Sequence, residues 1–378
     1  MTSRGPILHV APFLWSGAGG VITRLCEAQR SRRPVVIVTT SRSGGLRDWP
    51  DYRRRLRRAG VEHRTVDVFH RDAGTFWAGS EAFARLLDEV RPSVVHAHAG
   101  VPTCSAVVAR DRSGVAAPII AQMYSWGPER PAWMDQQDLW GFSRADRVVC
   151  SARAYHDVLV EGGVPRAKTT YLPWGLPLEE LPFRAGRPTP RRHLVSAARR
   201  PAIGFVGRIE PRKGQLLLVE ALPRIRARVP GATLELVGPP GDTAYEAELR
   251  RRVSALGLDD AVTLPGRVRR VFDRLRTWDI FVSVSSDEGQ GLAVLEALAA
   301  GVPVVARVVP GVEDFLRPAA NCHPISGPTP RHIADAVVDA LADPVRLVRF
   351  AVAGRRLVER RYDWAQTVAS MERVYRLP

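Results

Sequence analysis

The segment Glu288-Gly-Gln-Gly-Leu-Ala-Val-Leu-Glu296 places two carboxylates on either side of a Gly-x-Gly turn that opens an apolar stretch. Earlier in the chain, Gly207-Arg-Ile-Glu-Pro-Arg-Lys213-Gly214 places Arg208 and Lys213 on a glycine-punctuated loop after the apolar run Ile203–Val206. Ionised carboxylates accept hydrogen bonds from sugar hydroxyls, and cations meet phosphate oxygens. Both chemistries converge on a nucleotide-diphosphate sugar. The N–H groups of Gln290, Gly291 and Leu292 fall at a helix start, where they lack intrahelical partners and can hold phosphate or sugar oxygens. With every step between Glu288 and Glu296 helical, the two carboxylates would stand ~12 Å apart, the span of a ribose and a hexose flanking a diphosphate.

Weaker signals lie in the first half. Gly19-Gly20 follows the strand-like Ile7–Val10 and precedes a helix, which permits close backbone approach to phosphate. His98 lies just past the strand Val94–His96; an imidazole there can orient an acceptor or bond a donor sugar, or simply sit satisfied at a strand end. No Asp-x-Asp pair and no His or Cys ligand spacing occurs, so neither a metal nor a cofactor is expected. The two cations and the helix N-termini would do that work.

The elements that must position these residues alternate. Ile7–Val10, Val35–Thr39, Thr65–Val68, Val94–His96, Ile119–Gln122, Val148–Ser151 and Thr170–Leu172 read as strands, separated by helical patterns such as Val21–Arg30, Tyr52–Ala59, Glu81–Glu89 and Ala152–Glu161. Short continuous apolar runs suit buried parallel strands, and the alternation predicts a doubly wound α/β sheet. The Pro- and Arg-rich stretch 177–200 reads as a linker. Beyond it the alternation restarts with strands Ile203–Val206, Thr233–Val237, Val262–Leu264, Ile280–Val284 and Val302–Ala306. The clearest helices there are Lys213–Arg228, interrupted by Pro223, then Ala244–Ala255 and Leu292–Ala300. The expected architecture is two Rossmann-like domains facing across a cleft, with ligands beyond the carboxyl ends of the strands.

A chain of 378 residues is long for one core, which agrees with two domains. No run approaches the ~18 apolar residues of a membrane span. The N-terminus lacks a signal-peptide layout, and Cys26, Cys104, Cys150 and Cys322 are scattered, as suits a reducing cytoplasm. The formal net charge of +16 invites a nucleic-acid reading, but the excess is arginine dispersed over the chain and no groove-reading motif accompanies it. The clusters Arg53-Arg54-Arg55 with Arg57-Arg58, and Arg355-Arg356 with Arg360-Arg361, read as solvated helix faces, with weak peripheral contact to an anionic membrane as the sharper alternative. The only lysines are Lys168 and Lys213. A lysine at 213 in so arginine-rich a chain suggests a site that needs a compact ammonium.

At these residues the chain resembles the retaining glycosyltransferases of the GT-B fold, family 4 (glycosyl transferases group 1). The likeness extends to Gly19-Gly20-Val21, Val94-Val-His-Ala-His98, Ala145-Asp146-Arg-Val-Val, Pro173-Trp-Gly175, Gly301-Val-Pro-Val-Val-Ala306 and Tyr362-Asp-Trp364. It implies a transferase domain layout: residues 1–176 for the acceptor, linker 177–200, residues 201–355 for the nucleotide sugar, and a helix 356–378 crossing back. It further implies that Arg208 and Lys213, with Gly207, face the diphosphate, that Glu296 holds the ribose, and that Glu288 faces the hexose. Transfer is expected on the front face of the sugar, with the donor diphosphate helping to take the acceptor proton. One departure stands out. Family members often carry a His near position 124, where this chain has Tyr124-Ser-Trp126; a phenol is a poor base at neutral pH, but both rings can stack on an acceptor. The expected activity is hexosyl transfer in carbohydrate or natural-product biosynthesis. Acceptors in view are a small aglycone or sugar, a growing glycan, and a lipid at the inner membrane face; a nucleotide-sugar epimerase or a phosphorylase is the enzymatic rival.

Overall fold

The computed structural model describes residues 5–40, 49–68, 72–126, 131–181 and 200–376. The expected linker 177–200 lies mostly outside them. The chain divides into two units, one of residues 1–174 with 365–378, the other of residues 175–364.

In the first unit, β1 (Ile7–Val10), β2 (Val35–Thr39), β4 (Val94–His98), β5 (Ile119–Met123) and β6 (Arg147–Cys150) join edge strands β3 (Glu62–Thr65) and β7 (Thr169–Tyr171). They form a seven-stranded sheet in the order β3-β2-β1-β4-β5-β6-β7, with every neighbouring pair parallel. Runs such as Val-Val-Ile-Val-Thr in β2 are buried along their whole length, because crossover helices cover both faces of a parallel sheet. Those helices are α1 (Ser16–Arg30), α2 (Pro50–Arg58), α3 (Ala73–Val90), α4 (Gly100–Ser113), α5 (Ala132–Arg144) and α6 (Arg153–Glu161).

Two local expectations shift. The strand expected at Thr65–Val68 is instead β3 at Glu62–Thr65, a half-exposed edge strand. Val66 and Val68 lie beyond the ladder but are buried in the core, so their apolar alternation reports packing and not pairing. Helix α4 is buried on almost every side, which erases the amphipathic period that would announce it.

In the second unit, β8 (Ala202–Val206), β9 (Thr233–Val237), β10 (Val262–Gly266), β11 (Ile280–Ser283), β12 (Val304–Ala306) and β13 (His323–Pro324) form a sheet in the order β10-β9-β8-β11-β12-β13, again parallel. Helices α7 (Gln215–Arg228), α8 (Thr243–Ala255), α9 (Val271–Leu275), α10 (Leu292–Ala299), α11 (Pro330–Ala342) and α12 (Pro344–Arg361) accompany it. Helix α7 runs straight through Pro223. A mid-helix proline costs about 3 kcal/mol, while full burial of Leu218, Leu222 and Ile225 contributes roughly 1.5–3 kcal/mol each, so packing wins.

Helix α13 (Trp364–Val374) carries the chain back into the first unit. Thr367 Oγ1 donates to Pro173 O at 3.2 Å and Arg33 pairs with Glu372 at 3.2 Å. The return begins at Ala365 and not at 356, because the end of α12 stays in the second core through Val358. Arg355, expected on a solvated face, is buried and bonds Glu359 at 2.9 Å, whereas Arg53, Arg54, Arg57 and Arg58 are exposed. Among the described residues no helix is long and apolar enough to cross a membrane.

Each sheet reverses its strand order at one place, between β1 and β4 and between β8 and β11. Loops leaving neighbouring strands on either side of such a switch point diverge and leave a ligand crevice at the carboxyl edge. Loop 207–214 leaves β8 and loop 284–291 leaves β11, which brings together the two motifs that the sequence singled out.

Candidate active site

Gly207 ends β8, its N–H donating to Val237 O at 2.9 Å. The chain then makes a tight 3-10 turn, Pro211–Lys213, closed by Gly214 at φ 71°. A Cβ at 214 would stand 2.9 Å from Val284 O, so glycine is required both for its left-handed backbone and for its closeness to the β11 loop. That turn directs Lys213 inward. The residue is 9% exposed, and its Nζ donates to Glu288 Oε1 at 2.6 Å. Ser285 Oγ donates to the same oxygen at 2.7 Å. Behind Glu288, its N–H donates to Pro310 O at 3.0 Å, and Gly311 at φ 93° packs so close that a Cβ would fall 1.8 Å from Glu288 O.

Arg208 pairs with Glu210 at 2.8 Å, and Gln215 Nε2 donates to Arg208 O at 2.6 Å. Burial lowers the Arg208 guanidinium below its ordinary value, with Glu210 opposing and the neighbouring Arg212 assisting. Arg212 turns away, as its neighbours require. It meets Asp287 Oδ2 at 2.7 Å and Glu210 Oε1 at 3.2 Å, and Ser286 N donates to Arg212 O at 3.0 Å. It therefore clamps the two loops together.

The sequence reading saw two cations for phosphate. The structure shows three cations, Arg208, Arg212 and Lys213, interleaved with three acids, Glu210, Asp287 and Glu288. Glu210 lies inside the first motif and Asp287 directly before the second, and neither carried a signal of its own. Pairing every cation beforehand avoids the cost of an unpaired, half-buried charge.

Helix α10 begins only at Leu292, after Gly291 at φ 68°. A Cβ on Gly291 would lie 2.4 Å from Val312 Cγ1. Glu288 thus stands on a non-helical loop, and the spacing that assumed helix from Glu288 to Glu296 does not apply. Glu296 sits half-buried on the second turn of α10, and Gln290 is buried at its mouth. Val294 N–H and Leu295 N–H both donate to Gly291 O, at 2.9 and 3.0 Å.

In the first unit, Gly19 and Gly20 are not in a loop. They lie within α1, which starts at Ser16. Added Cβ atoms would meet Leu14 backbone at 2.7 Å and Tyr52 Oη at 2.9 Å respectively, so close packing of this helix already accounts for both glycines. His98 is the last residue of β4 and is 2% exposed. Its Nδ1 is 2.9 Å from Tyr124 Oη and its Nε2 is 2.9 Å from His9 Nδ1. The structure thus joins His98 and Tyr124, which the sequence treated separately. Burial pushes the Tyr124 phenol well above its usual range and holds His98 well below the usual imidazole value, so both are neutral. Trp126 is half-buried against the core of this unit. His9, Gln29 and Tyr375, which complete the surroundings of His98, escaped the sequence reading; no spacing links them.

A model of glycosyltransferase family 4 matches residues 15–180, and a model of glycosyl transferases group 1 matches residues 200–343. The chain is 34% identical over 219 residues to the GDP-mannose-dependent alpha-(1-6)-phosphatidylinositol monomannoside mannosyltransferase of Mycobacterium tuberculosis, a match spanning 55% of each protein, so it covers about half the length of that relative. It is 31% identical over 307 residues to D-inositol 3-phosphate glycosyltransferase 2 of Catenulispora acidiphila, covering 75% of this chain and 70% of that one. The fold is like that of Anabaena HepE in complex with UDP and glucose, with a TM-score of 0.83 at 18% identity over 98% of this chain and 99% of that one. Two doubly wound units, the paired motifs at the β8–β11 switch point and these matches establish that the chain belongs to glycosyltransferase family 4, with the GT-B fold.

Proposed function

We propose that this protein is a retaining glycosyltransferase that moves a hexosyl unit from a nucleotide-diphosphate sugar to a hydroxyl acceptor without a metal ion. The observation that carries the reading is the contact between Lys213 and Glu288 beside Arg208 at the β8–β11 switch point. As the bond between the sugar C1 and the diphosphate oxygen breaks, Arg208 and Lys213 offset the charge that builds on the leaving group, typically the largest catalytic term in such a step. The acceptor oxygen bonds C1 on the same face, and its proton passes to the departing diphosphate. Glu288, released by Lys213, faces the hexose, and Glu296 accepts from the ribose hydroxyls. Gly207 and the N–H groups of Gln290, Gly291 and Leu292 hold diphosphate oxygens.

The names of the relatives support a nucleoside-diphosphate hexose: the mycobacterial relative is named for GDP-mannose, and HepE was solved with UDP and glucose. A thermal-shift screen against nucleoside diphosphates selects the base, since a ligand at 100 times its Kd adds about 2.7 kcal/mol. Product analysis separates transfer from epimerisation or phosphorolysis. Turnover is expected to persist in excess EDTA, because no Asp-x-Asp pair is available to hold a divalent ion against the diphosphate. Loss on chelation with rescue by Mg²⁺ or Mn²⁺ would overturn the metal-free step.

The acceptor we favour is a small polyol or glycan met in the cytoplasm, and the Catenulispora relative is named for D-inositol 3-phosphate; the mycobacterial relative is named for a phosphatidylinositol monomannoside and supports the lipid alternative. A lipid acceptor is the second reading. It is favoured by Trp77 and Trp133, about half exposed at the starts of α3 and α5, since indoles suit a membrane interface. Against anionic liposomes at ~150 mM salt, where the screening length is about 8 Å, the protein is expected to stay in the supernatant. Firm co-sedimentation at that salt would promote the lipid acceptor.

A further inference from the structure

A buried polar chain runs through the first unit that the proposed reaction does not use in full. His9 on β1 faces His96 on β4 in register, and His98 follows two residues on, along the same face. Tyr124 Oη lies 2.9 Å from His98 Nδ1, His98 Nε2 2.9 Å from His9 Nδ1, and His9 Nε2 2.7 Å from Gln29 Oε1. Gln29 Nε2 lies 3.1 Å from Tyr375 Oη, which lies 2.7 Å from His96 Nδ1. Tyr375 comes from the returning terminal segment, and Arg33 stacks over its ring at 5.6 Å.

Three histidines with ring nitrogens within 4.8 Å of one another resemble a metal site. The chemistry argues otherwise. Among the described residues no carboxylate or thiolate joins the three rings, and His9 and His98 already stand at hydrogen-bond distance, 2.9 Å, with their facing nitrogens committed to each other.

The chain has a direction. An amide oxygen only accepts and an amide nitrogen only donates. His9 must therefore donate through Nε2 to Gln29, which leaves its Nδ1 as an acceptor. His98 Nε2–H then donates to His9, and its Nδ1 accepts from the Tyr124 hydroxyl. At the other end Gln29 donates to Tyr375, and Tyr375 donates to His96 Nδ1. Burial keeps every ring neutral: it holds His9 down at about 4, and His96 and His98 well below the usual value.

We propose that Gln29 and Tyr375 are positioning residues that fix this proton order, so that Tyr124 offers a substrate hydroxyl its oxygen lone pair and not its proton. The second half rests on the reading that Tyr124 faces the acceptor. Tyr375 accepts from the Gln29 amide nitrogen and passes its own proton to His96 Nδ1, which carries the same order to the far end of the chain; the opposite amide orientation would reverse every bond and turn the Tyr124 hydroxyl outward as a donor.

The test is nitrogen NMR on the full chain labelled with ¹⁵N-histidine, without substrate. His9, His96 and His98 are each expected as the Nε2–H tautomer. An Nδ1–H form at His9 or His98, or stoichiometric zinc in the purified protein, overturns the proton order. Gln29→Met removes the acceptor facing His9; a mixture of His98 tautomers is expected, with the KM for the acceptor raised about tenfold and that for the donor unchanged. Gln29→Glu restores both, because a protonated carboxyl accepts from His9 and donates to Tyr375. The expected tautomers with an unmoved acceptor KM in Gln29→Met overturn the role of Tyr124 and leave the nucleotide-sugar reading untouched.

Discussion

Lys213→Ala and Arg208→Ala are each expected to lower kcat/KM by roughly 100-fold or more, the scale of losing one stabiliser of a charge that develops only in the transition state. The two variants differ in what they leave behind. Without Arg208, Glu210 keeps Arg212 at 3.2 Å. Without Lys213, Glu288 loses its 2.6 Å ammonium contact in a site where the two side chains are only 11% and 14% exposed. Removing one partner of a buried pair costs about 3 kcal/mol, so Lys213→Ala should also lower the melting temperature, and Arg208→Ala should do so less. Adding Glu288→Gln to Lys213→Ala should recover part of that stability without recovering activity. Near-normal turnover in both folded single variants would remove the diphosphate assignment.

Glu288→Ala is expected to depress kcat strongly, and Glu296→Ala chiefly to weaken nucleotide binding. A ribose contact is made equally in ground and transition states and so acts uniformly on binding, whereas the hexose carries the developing positive charge. The structure adds a consequence for the first variant. Deleting the carboxylate frees Lys213, so Glu288→Ala should bind the free nucleoside diphosphate at least as tightly as the native protein while turning over poorly. Calorimetry with the nucleotide and steady-state kinetics read the two effects separately. Unchanged nucleotide affinity in Glu296→Ala would show that the ribose role is misassigned.

The two charged motifs were readable from sequence because their residues lie close together in the chain. Arg208, Lys213, Glu288 and Glu296 lie in two short motifs, each directly after an apolar strand, and strands β8 and β11 became neighbours as a doubly wound sheet requires. The central strands of both sheets were legible for a related reason: buried β-branched runs leave an uninterrupted apolar signature, which the edge strands β3 and β13 lack. Where burial and pairing part company, as at Val66 and Val68, or where a helix is buried on almost all sides, as in α4, that signature misleads or vanishes.

What the sequence by itself determined is the class of fold and the charged residues of the two motifs, because these follow from spacing within a few residues, and the family, through motifs that resemble it. What only the tertiary structure decided is how those charges are partnered: Lys213 on Glu288, Arg208 on Glu210, and Arg212 as the clamp on Asp287. The first and last of these join side chains 75 positions apart through backbone turns at Gly214 and Gly311, which no periodicity encodes. The same holds more strongly for Tyr375, which bonds His96 across 279 positions. Its place beside His96 and Gln29 depends on where the terminal helix packs, a matter of shape and burial that local sequence does not record.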